Sequence, residues 1–269
     1  MSITVCIAGA GGRMGQRLIQ LAHEDPDLEP VYALEHDKHP WIGKDVGEQI
    51  GLGKLGLICA RSICPNCAFD VVIDFTAPEP TVEHAEAAAE QGKALVLGTT
   101  GLDEKQKARI LACSKKVPVI HVGNYSTGVN MLVKLAALAA QTLGMDYEIE
   151  IVEAHHDLKV DAPSGTALML AEAVAQARGQ DLKKDAVYGR EGHTGKRTKH
   201  EIGIHALRMG DVVGEHTVYF AIGGERLELT HKASSRDTFA RGALRAAKWL
   251  IQERKGPGMY TMAQVLGFE

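Results

Sequence analysis

Short apolar runs alternate with helical segments over residues 1–125, and this alternation constrains the fold more than any other feature. The runs that suit buried strands are residues 3–8, 31–35, 71–75, 94–97 and 117–122. The segments between them that suit helices are residues 13–23, 79–91 and 103–116. Continuous apolar strands separated by helices are typical of a parallel sheet covered on both faces. We therefore expect an α/β fold with a Rossmann-like, doubly wound parallel sheet.

The pattern changes from Tyr147 onward, where polar and apolar residues alternate as in a half-solvated strand. The elements predicted there are a strand at 147–152, a helix at 164–178, β-like runs at 204–208, 216–222 and 226–232, and a helix at 236–253. Strands grouped in this way favour a mixed or antiparallel sheet. We therefore expect a second, α+β domain, with the last helix returning to cover the first.

A glycine-rich loop follows the first predicted strand. Gly9, Gly12 and Gly15 recur at three-residue spacing and lead into a predicted helix. Glycines allow a backbone to approach a pyrophosphate closely, and a helix N-terminus offers N–H groups to it. Glu35 ends the second predicted strand, where a carboxylate can accept the ribose hydroxyls of NAD. The loop predicts a dinucleotide site; the alternative is a tight turn without a ligand.

Further loops follow other predicted strands of the same sheet. They are Asp74–Thr76, Gly98–Gly101 and Gly123–Ser126. Ligands of open α/β sheets bind outside the carboxyl ends of the strands, so these small and polar residues are candidates to contact the nicotinamide and its ribose. Taken singly, each also fits an ordinary turn.

Imidazole and ammonium groups cluster after the strand that begins at Tyr147. His155 and His156 are followed by Lys159 and by a predicted helix start at Ser164–Thr166. An imidazole exchanges protons near neutral pH, and the N–H groups of a helix start bind carboxylates. Adjacent strand residues point to opposite faces, so the two rings do not favour one metal ion, and no metal site is predicted. The alternative is a solvated polar loop before a capped helix.

Composition excludes some classes of protein. The formal charge is −4 without a basic block, which argues against a dedicated nucleic-acid binder. We see no run of about 18 apolar residues, so no membrane span is expected. Residues 1–8 lack a basic leader and suit a strand, and we therefore expect residence in the cytoplasm.

Two of the five cysteines form a C-x-x-C pair. Cys6 and Cys113 suit the core. Cys64 and Cys67 form the pair, with Cys59 nearby, but a structural zinc site commonly needs a second pair. Reduced surface thiols are the favoured interpretation, and a local metal or redox role is the alternative.

Several long motifs resemble the 4-hydroxy-tetrahydrodipicolinate reductase (dihydrodipicolinate reductase) family. The motifs are Gly9–Gly15, Asp74–Thr76, Gly98–Gly101, Glu153–Ala167, Arg190–Gly195, Gly210–Thr217 and Thr230–Arg236. The resemblance implies a dinucleotide-binding domain of residues 1–126 and 236–269, and a substrate-binding and tetramerisation domain of residues 127–235. It implies a homotetramer. It also implies reduction of 4-hydroxy-2,3,4,5-tetrahydrodipicolinate, a small cyclic dicarboxylate, with loss of water by NADH or NADPH in diaminopimelate and L-lysine biosynthesis.

The resemblance also implies roles for individual residues. His155 corresponds to the general acid/base, Lys159 to a second proton donor, and His156, Gly165 and Thr166 to substrate-binding residues. The residues that correspond to cofactor contacts are Gly9, Ala10, Gly11, Gly12, Arg13, Met14, Glu35, His36, Gly98, Thr99, Thr100, Val122, Gly123, Asn124 and Tyr125. Members that use NADPH well often carry arginine where this chain has His36, so a preference for NADH or near-equal use is expected.

Two other functions remain open. One is an NAD(P)H-dependent reductase of another small imine or carbonyl dicarboxylate, since a fold does not determine its substrate. The other is a dinucleotide-sensing module without turnover. The clustered imidazole and ammonium groups favour the reduction of 4-hydroxy-2,3,4,5-tetrahydrodipicolinate over both alternatives. A sensor, in particular, does not need proton donors.

Overall fold

The computed structural model describes residues 2–253 and 255–268. The chain divides into two compact units. The first comprises Met1–Ser126 and Asp237–Glu269, and the second comprises Thr127–Arg236.

Both units contain helices and strands. In chain order they are β1 (Ile3–Ala8), α1 (Arg13–Glu24), β2 (Leu28–Leu34), α2 (Val46–Gln49), β3 (Cys59–Ala60), β4 (Val71–Asp74), α3 (Pro78–Glu90), β5 (Ala94–Leu97), α4 (Glu104–Cys113), β6 (Pro118–His121), α5 (Thr127–Leu143), a 3₁₀ turn (Gly144–Asp146), β7 (Glu148–His155), α6 (Gly165–Ala177), α7 (Leu182–Asp185), β8 (Ala186–Tyr188), β9 (Ile202–Arg208), β10 (Gly214–Ile222), β11 (Glu225–Ala233), α8 (Asp237–Gln252), β12 (Gly258–Tyr260) and α9 (Met262–Val265).

The first unit is built on a seven-stranded parallel sheet in the order β12-β6-β5-β4-β1-β2-β3. Because successive strand residues point to opposite faces, the sheet has two cores. Val5 and Ile7 pack with α1 and α8 on one face. Val72 and Leu95 pack with α3 and α4 on the other. The predicted doubly wound parallel sheet is therefore confirmed.

The second unit is built on a five-stranded mixed sheet in the order β11-β10-β7-β9-β8. β10 runs antiparallel to β7 and β11, whereas β7 and β8 run parallel to β9. Helices α5 and α6 pack against this sheet through a core that includes Ile151, Val218 and Phe220. The predicted mixed sheet is confirmed as well.

Some elements of the second unit were not predicted from the sequence. Helix α5 occupies residues 127–143, and α7 and β8 lie within the polar segment before Ile202. By length and composition alone, residues 127–146 could cross a membrane, but core helices of soluble proteins meet the same criterion. Leu132, Ala136 and Ala140 bury one side of α5 in the core of its own unit.

The cysteines differ from expectation at the C-x-x-C pair. Cys64 and Cys67 form a disulfide, and Cys59 is buried, so the predicted set of reduced surface thiols is wrong. Their Cα atoms lie 5.5 Å apart, within the range that a disulfide spans. Cys6 and Cys113 are buried free thiols, as predicted. Among the residues that the structure describes, no group of three or more His, Cys, Asp or Glu side chains could hold a metal ion.

Candidate active site

The glycine loop joins β1 to α1 by a turn that larger residues would obstruct. Gly9 has a φ of +74°, a region that L side chains rarely adopt. A Cβ at Gly15 would lie 2.0 Å from the carbonyl oxygen of Gly9, so helix and loop could not approach as they do. Gly12 is the N-cap of α1 and donates its N–H to the same oxygen at 3.0 Å. The loop thus forms a cradle of the kind that accepts a pyrophosphate.

Other residues of this loop have different surroundings. Ala10 is fully buried and donates its N–H to Leu34, the last residue of β2. Arg13 is exposed at the first turn of α1, whereas Met14 packs partly against the core. The backbone and Arg13 are therefore the parts that can reach a ligand.

Glu35 closes one side of the cradle. Its Oε1 accepts the N–H of Gly11 at 2.9 Å, and its Oε2 accepts the N–H of His36 at 3.1 Å. A cavity of about 390 Å³ adjoins this carboxylate. The residues that line it are Gly9, Glu35, His36, Asp37, Arg61, Thr76, Ala77, Pro80, Glu83 and His84. Three carboxylates and one permanent cation, Arg61, thus surround the predicted ribose site.

The buried carboxylate of Asp74 connects the ends of neighbouring strands. Its Oδ1 accepts the N–H and hydroxyl of Thr76 at 2.8 and 2.7 Å, and the hydroxyl of Thr81 at 2.9 Å. Its Oδ2 lies 2.7 Å from His84 Nδ1. Burial raises the pKa of Asp74, but the bonds from His84 and Thr76 outweigh it, so the pKa lies below its ordinary value.

The Asp74 cluster extends to the next two strand ends. Thr81 and Thr99 share a hydroxyl contact of 2.6 Å, and the carbonyl of Thr99 lies 3.0 Å from His121 Nε2. Thr76 also packs against the glycine loop, since a Cβ at Gly9 would lie 2.9 Å from its methyl group. The cluster therefore holds the loops after β1, β4, β5 and β6 in one arrangement.

The remaining predicted cofactor residues lie after β5 and β6. Gly98 packs on Phe75, whose ring would lie 2.0 Å from an added Cβ. Thr100 and Gly123 are exposed, and Val122 and Asn124 are half-buried. Tyr125 differs, because its side chain lies in the core and its hydroxyl oxygen lies 3.0 Å from carbonyl oxygens of β5 and β6. Only the backbone of Tyr125 is available to a ligand.

In the second unit, the buried carboxylate of Glu153 holds His155. The Glu153 side chain is 0% exposed, and its Oε2 lies 2.6 Å from His155 Nδ1. Arg208 donates to both carboxylate oxygens at 2.8 and 2.9 Å, and the N–H of Ser164 donates at 2.9 Å. Burial raises the pKa of Glu153, but these bonds outweigh it, so the pKa lies below its ordinary value.

The His155 ring is partly screened from solvent, with 12% of its side chain exposed. Burial lowers the pKa of His155 below its ordinary value, although the bond to Glu153 acts in the opposite direction. His216 packs edge-on against it, with ring centres 5.2 Å apart. Burial lowers the pKa of His216 to about 4, so that ring is neutral near neutral pH. The Ser164 hydroxyl lies 3.1 Å from His216 Nε2.

Lys159 lies in the loop between β7 and α6. Its Nζ pairs with both carboxylate oxygens of Asp161 at 2.8 and 2.9 Å. Ser164 is the N-cap of α6, and its hydroxyl accepts the N–H of Ala167 at 3.2 Å, as the sequence predicts for a helix start. Gly165 is exposed at that start, with Thr166 next to it. His156 Nδ1 is buried without a hydrogen-bond partner among the described residues.

Sequence reasoning missed several of these contacts. Glu153 belongs to a quoted motif but received no role, although it lies two residues before His155 on the same strand face. Arg208 and Arg61 carry no local signal, because their neighbours in space are distant in sequence. Asp74 was assigned to a ligand loop, whereas its carboxylate is buried inside the cluster.

The fold and the site together define a class of protein. A chain that combines a doubly wound parallel sheet carrying a glycine cradle with a second unit that concentrates imidazole and ammonium groups is typical of an oxidoreductase that uses a nicotinamide dinucleotide.

The comparisons with known proteins identify the family. The family model "Dihydrodipicolinate reductase, N-terminus" matches residues 3–125, and its C-terminus counterpart matches residues 128–266. A 4-hydroxy-tetrahydrodipicolinate reductase from Halorhodospira halophila is 51% identical over 99% of this chain and 100% of that protein. One from Hahella chejuensis is 49% identical over 98% and 99%. The chain therefore belongs to the dihydrodipicolinate reductase family, whose members use NADH or NADPH.

Solved structures share the fold. A dipicolinate-bound dihydrodipicolinate reductase from Paenisporosarcina sp. TG-14 superposes with a TM-score of 0.76 at 24% identity, over 98% of this chain and 99% of that one. A protein of gentamicin A biosynthesis in complex with NAD superposes with a TM-score of 0.60 at 13% identity, over 98% and 90%.

Proposed function

We propose that this chain reduces 4-hydroxy-2,3,4,5-tetrahydrodipicolinate to 2,3,4,5-tetrahydrodipicolinate, with loss of water, in diaminopimelate and L-lysine biosynthesis. The family supports the reaction. The observation that carries the assignment of residues is the segment Glu153–Thr166, which brings a held imidazole, an ammonium group and a helix start together.

The first unit binds the dinucleotide in this proposal. The cradle of Gly9, Ala10, Gly11, Gly12, Arg13 and Met14 holds the pyrophosphate, and Glu35 with His36 holds the adenosine ribose. The loops that contain Gly98, Thr99, Thr100, Val122, Gly123, Asn124 and Tyr125 would hold the nicotinamide half. The Cβ positions blocked at Gly9 and Gly15 support this fit, since the cradle admits no larger side chains. When bound, the nicotinamide supplies the hydride.

The second unit provides the proton. Loss of water leaves a conjugated ring, and negative charge that develops on the ring after hydride addition must be neutralised. We assign His155 as the general acid/base, with Nε2 as the reactive atom because Nδ1 is engaged by Glu153. The lowered pKa of His155, caused mainly by burial, favours the neutral ring in the free enzyme. An anionic substrate beside it would favour the protonated ring.

Lys159 has a double role in this proposal. Its ammonium group is now paired with Asp161 and exchanges that exposed partner for a substrate carboxylate. From there it also stabilises negative charge and is the second proton donor. His156, Gly165 and Thr166 complete the site for the two carboxylates of the substrate, because helix N–H groups bind such anions.

The cavity beside Glu35 supports a preference for NADH or near-equal use. Asp37 and Glu83 add negative charge to that of Glu35, and the cavity that these carboxylates line would therefore repel a 2′-phosphate. Arg61 opposes this repulsion only in part, because one guanidinium faces three carboxylates.

We also propose a cytoplasmic homotetramer that forms through the mixed sheet. Helices α5 and α6 pack against this sheet, while Val152, Thr217 and Tyr219 remain half-buried on β7 and β10. Light scattering should give the mass of four chains, and a monomeric mass would contradict the assembly.

Oxidation of NADH in the presence and absence of freshly generated substrate tests the function. Substrate-dependent oxidation with the expected product supports it. Cofactor binding without turnover would favour a sensor, and turnover of only another imine or carbonyl dicarboxylate would favour a different reductase.

A further inference from the structure

Glu153 is a buried carboxylate that has no chemical step in the proposed reaction. A carboxylate removed from water is costly unless it is paired and hydrogen-bonded. Glu153 meets this requirement with donors from Arg208, His155 and the N–H of Ser164. Both ends of the Lys159 loop are thereby tied to one carboxylate.

Arg208 strengthens the same connection. Besides its two bonds to Glu153, its guanidinium donates to the carbonyl of Asp161 at 2.6 Å. Asp161 also carries the carboxylate that pairs with Lys159. Arg208 ends β9 directly opposite His155 on β7, so the strand register fixes its approach. The guanidinium therefore contacts the Lys159 loop and the residue that orients His155.

We propose that Glu153 and Arg208 form a positioning pair for the active site, which orients His155 through Nδ1 and anchors the Lys159 loop. The proposal rests on the proton role proposed for His155. An ionised carboxylate has no proton to give, so Nδ1 donates to Glu153 and Nε2 is the atom left for chemistry. Gly214 leaves room there, since a Cβ at that position would lie 3.2 Å from Nε2.

The two members of the pair act on His155 in opposite directions. The negative charge of Glu153 favours the protonated ring, whereas Arg208 and Lys159 disfavour it. His216, which packs on the ring from β10, is neutral near neutral pH and adds little charge of its own. Removing Glu153 should therefore lower the pKa of His155, and removing Arg208 should raise it.

A proton NMR titration of His155 in the cofactor-free protein tests the pair without requiring activity. Glu153→Gln should lower the pKa of His155 by about one unit, and Arg208→Met should raise it. Arg208→Lys keeps the positive charge and should shift the pKa of His155 less than Arg208→Met does. Glu148→Gln, an exposed change on the same strand, is the matched control. Shifts in one direction for both variants, or no shift in folded protein, would overturn the proposal.

Should Glu153→Gln not fold, Glu153→Asp replaces it, because the shorter side chain keeps the charge and withdraws it from Nδ1. The expected shift is again downward but smaller. An unchanged His155 pKa in folded Glu153→Asp would count against the pair.

The pH profile of kcat separates this proposal from the function on which it rests. Activity that needs a protonated His155 falls as the pH rises, and this fall should move to lower pH in Glu153→Gln and to higher pH in Arg208→Met. In His155→Gln the fall should disappear. Persistence in His155→Gln would refute the proton role of His155, while the NMR shifts would still decide whether the pair positions the ring.

Discussion

Two buried carboxylates, one in each unit, organise the residues around them in different ways. Asp74 and Glu153 are both 0% exposed, and the pKa of each lies below its ordinary value. Asp74 binds the N–H and hydroxyl of Thr76 after β4, together with Thr81 and His84 of α3. Glu153 binds Arg208 and the imidazole to which we assign the chemistry.

The difference shows how one type of residue serves two purposes. A carboxylate surrounded by threonine hydroxyls fixes the shape of backbone loops, and so prepares a surface for a ligand. A carboxylate between a guanidinium and an imidazole controls the orientation and protonation of a side chain. We therefore expect changes near Asp74 to affect cofactor binding and changes near Glu153 to affect turnover.

The largest expected effect is that of His155→Gln. Loss of the general acid should lower kcat by roughly 10²–10⁴-fold while the Kd for NADH stays nearly constant. Steady-state kinetics and calorimetric titration measure the two quantities. His23→Gln, an exposed change at the end of α1, is the control. Near-normal turnover would remove His155 from the mechanism.

Lys159→Ala should reduce both turnover and substrate affinity. Loss of one charge-assisted contact to a carboxylate, worth roughly 1.5–3 kcal/mol, predicts a fall in kcat/KM of about 10–150-fold. Lys183→Ala removes an exposed lysine of α7 as the matched control. If only the KM for NADH changed, the Lys159 loop would bind the cofactor and not the substrate.

The pH dependence of stability should report on His216. Its pKa is about 4 in the folded chain against an ordinary value of 6.5, so the unfolded chain takes up a proton first as the pH falls. The contribution of His216 to the free energy of unfolding is therefore complete above pH 6.5 and is lost as the pH falls towards 4. About 2 kcal/mol is lost between pH 7 and pH 5.

Urea denaturation of wild type and His216→Gln at both pH values measures this contribution. The variant should lose less stability on acidification than the wild type. Equal losses would mean that the ring is not held neutral beside His155.

The smallest expected effect concerns Arg61, which lines the cavity beside Glu35. Arg61→Ala should lower kcat/KM for NADPH about two- to fivefold more than for NADH, as expected for an exposed charge pair worth up to about 1 kcal/mol. Parallel assays with both cofactors, and calorimetric titration with each, test this. An equal loss for the two would place the guanidinium away from the 2′-phosphate.

Much of the fold was predictable because its parallel strands and its glycine loop have recognisable local sequence patterns. Continuous apolar runs indicated the parallel strands, and the glycine spacing with Glu35 indicated the cradle. Helix α5 carries apolar residues at exposed as well as buried positions, among them Met131, Leu135 and Leu138, and this obscures its helical periodicity. Strand β8 spans Ala186–Tyr188, too short for alternation to be recognised.

The candidate site was predictable only where its residues are adjacent in sequence. The segment from His155 to Thr166 displays its chemistry directly. Arg208 reaches Glu153 only because β7 and β9 are neighbours in the sheet, which no local pattern encodes. The cluster around Asp74 likewise depends on hydroxyls from α3 and from the end of β5. Sheet order, which brings distant residues together, is the missing information.

Calorimetric titration of NADH into Asp74→Asn and Glu153→Gln tests the division between the two carboxylates most directly. We predict that Asp74→Asn raises the Kd about tenfold, equivalent to about 1.4 kcal/mol, whereas Glu153→Gln leaves it within about twofold of wild type. Equal weakening in the two variants, or weakening confined to Glu153→Gln, would contradict the account.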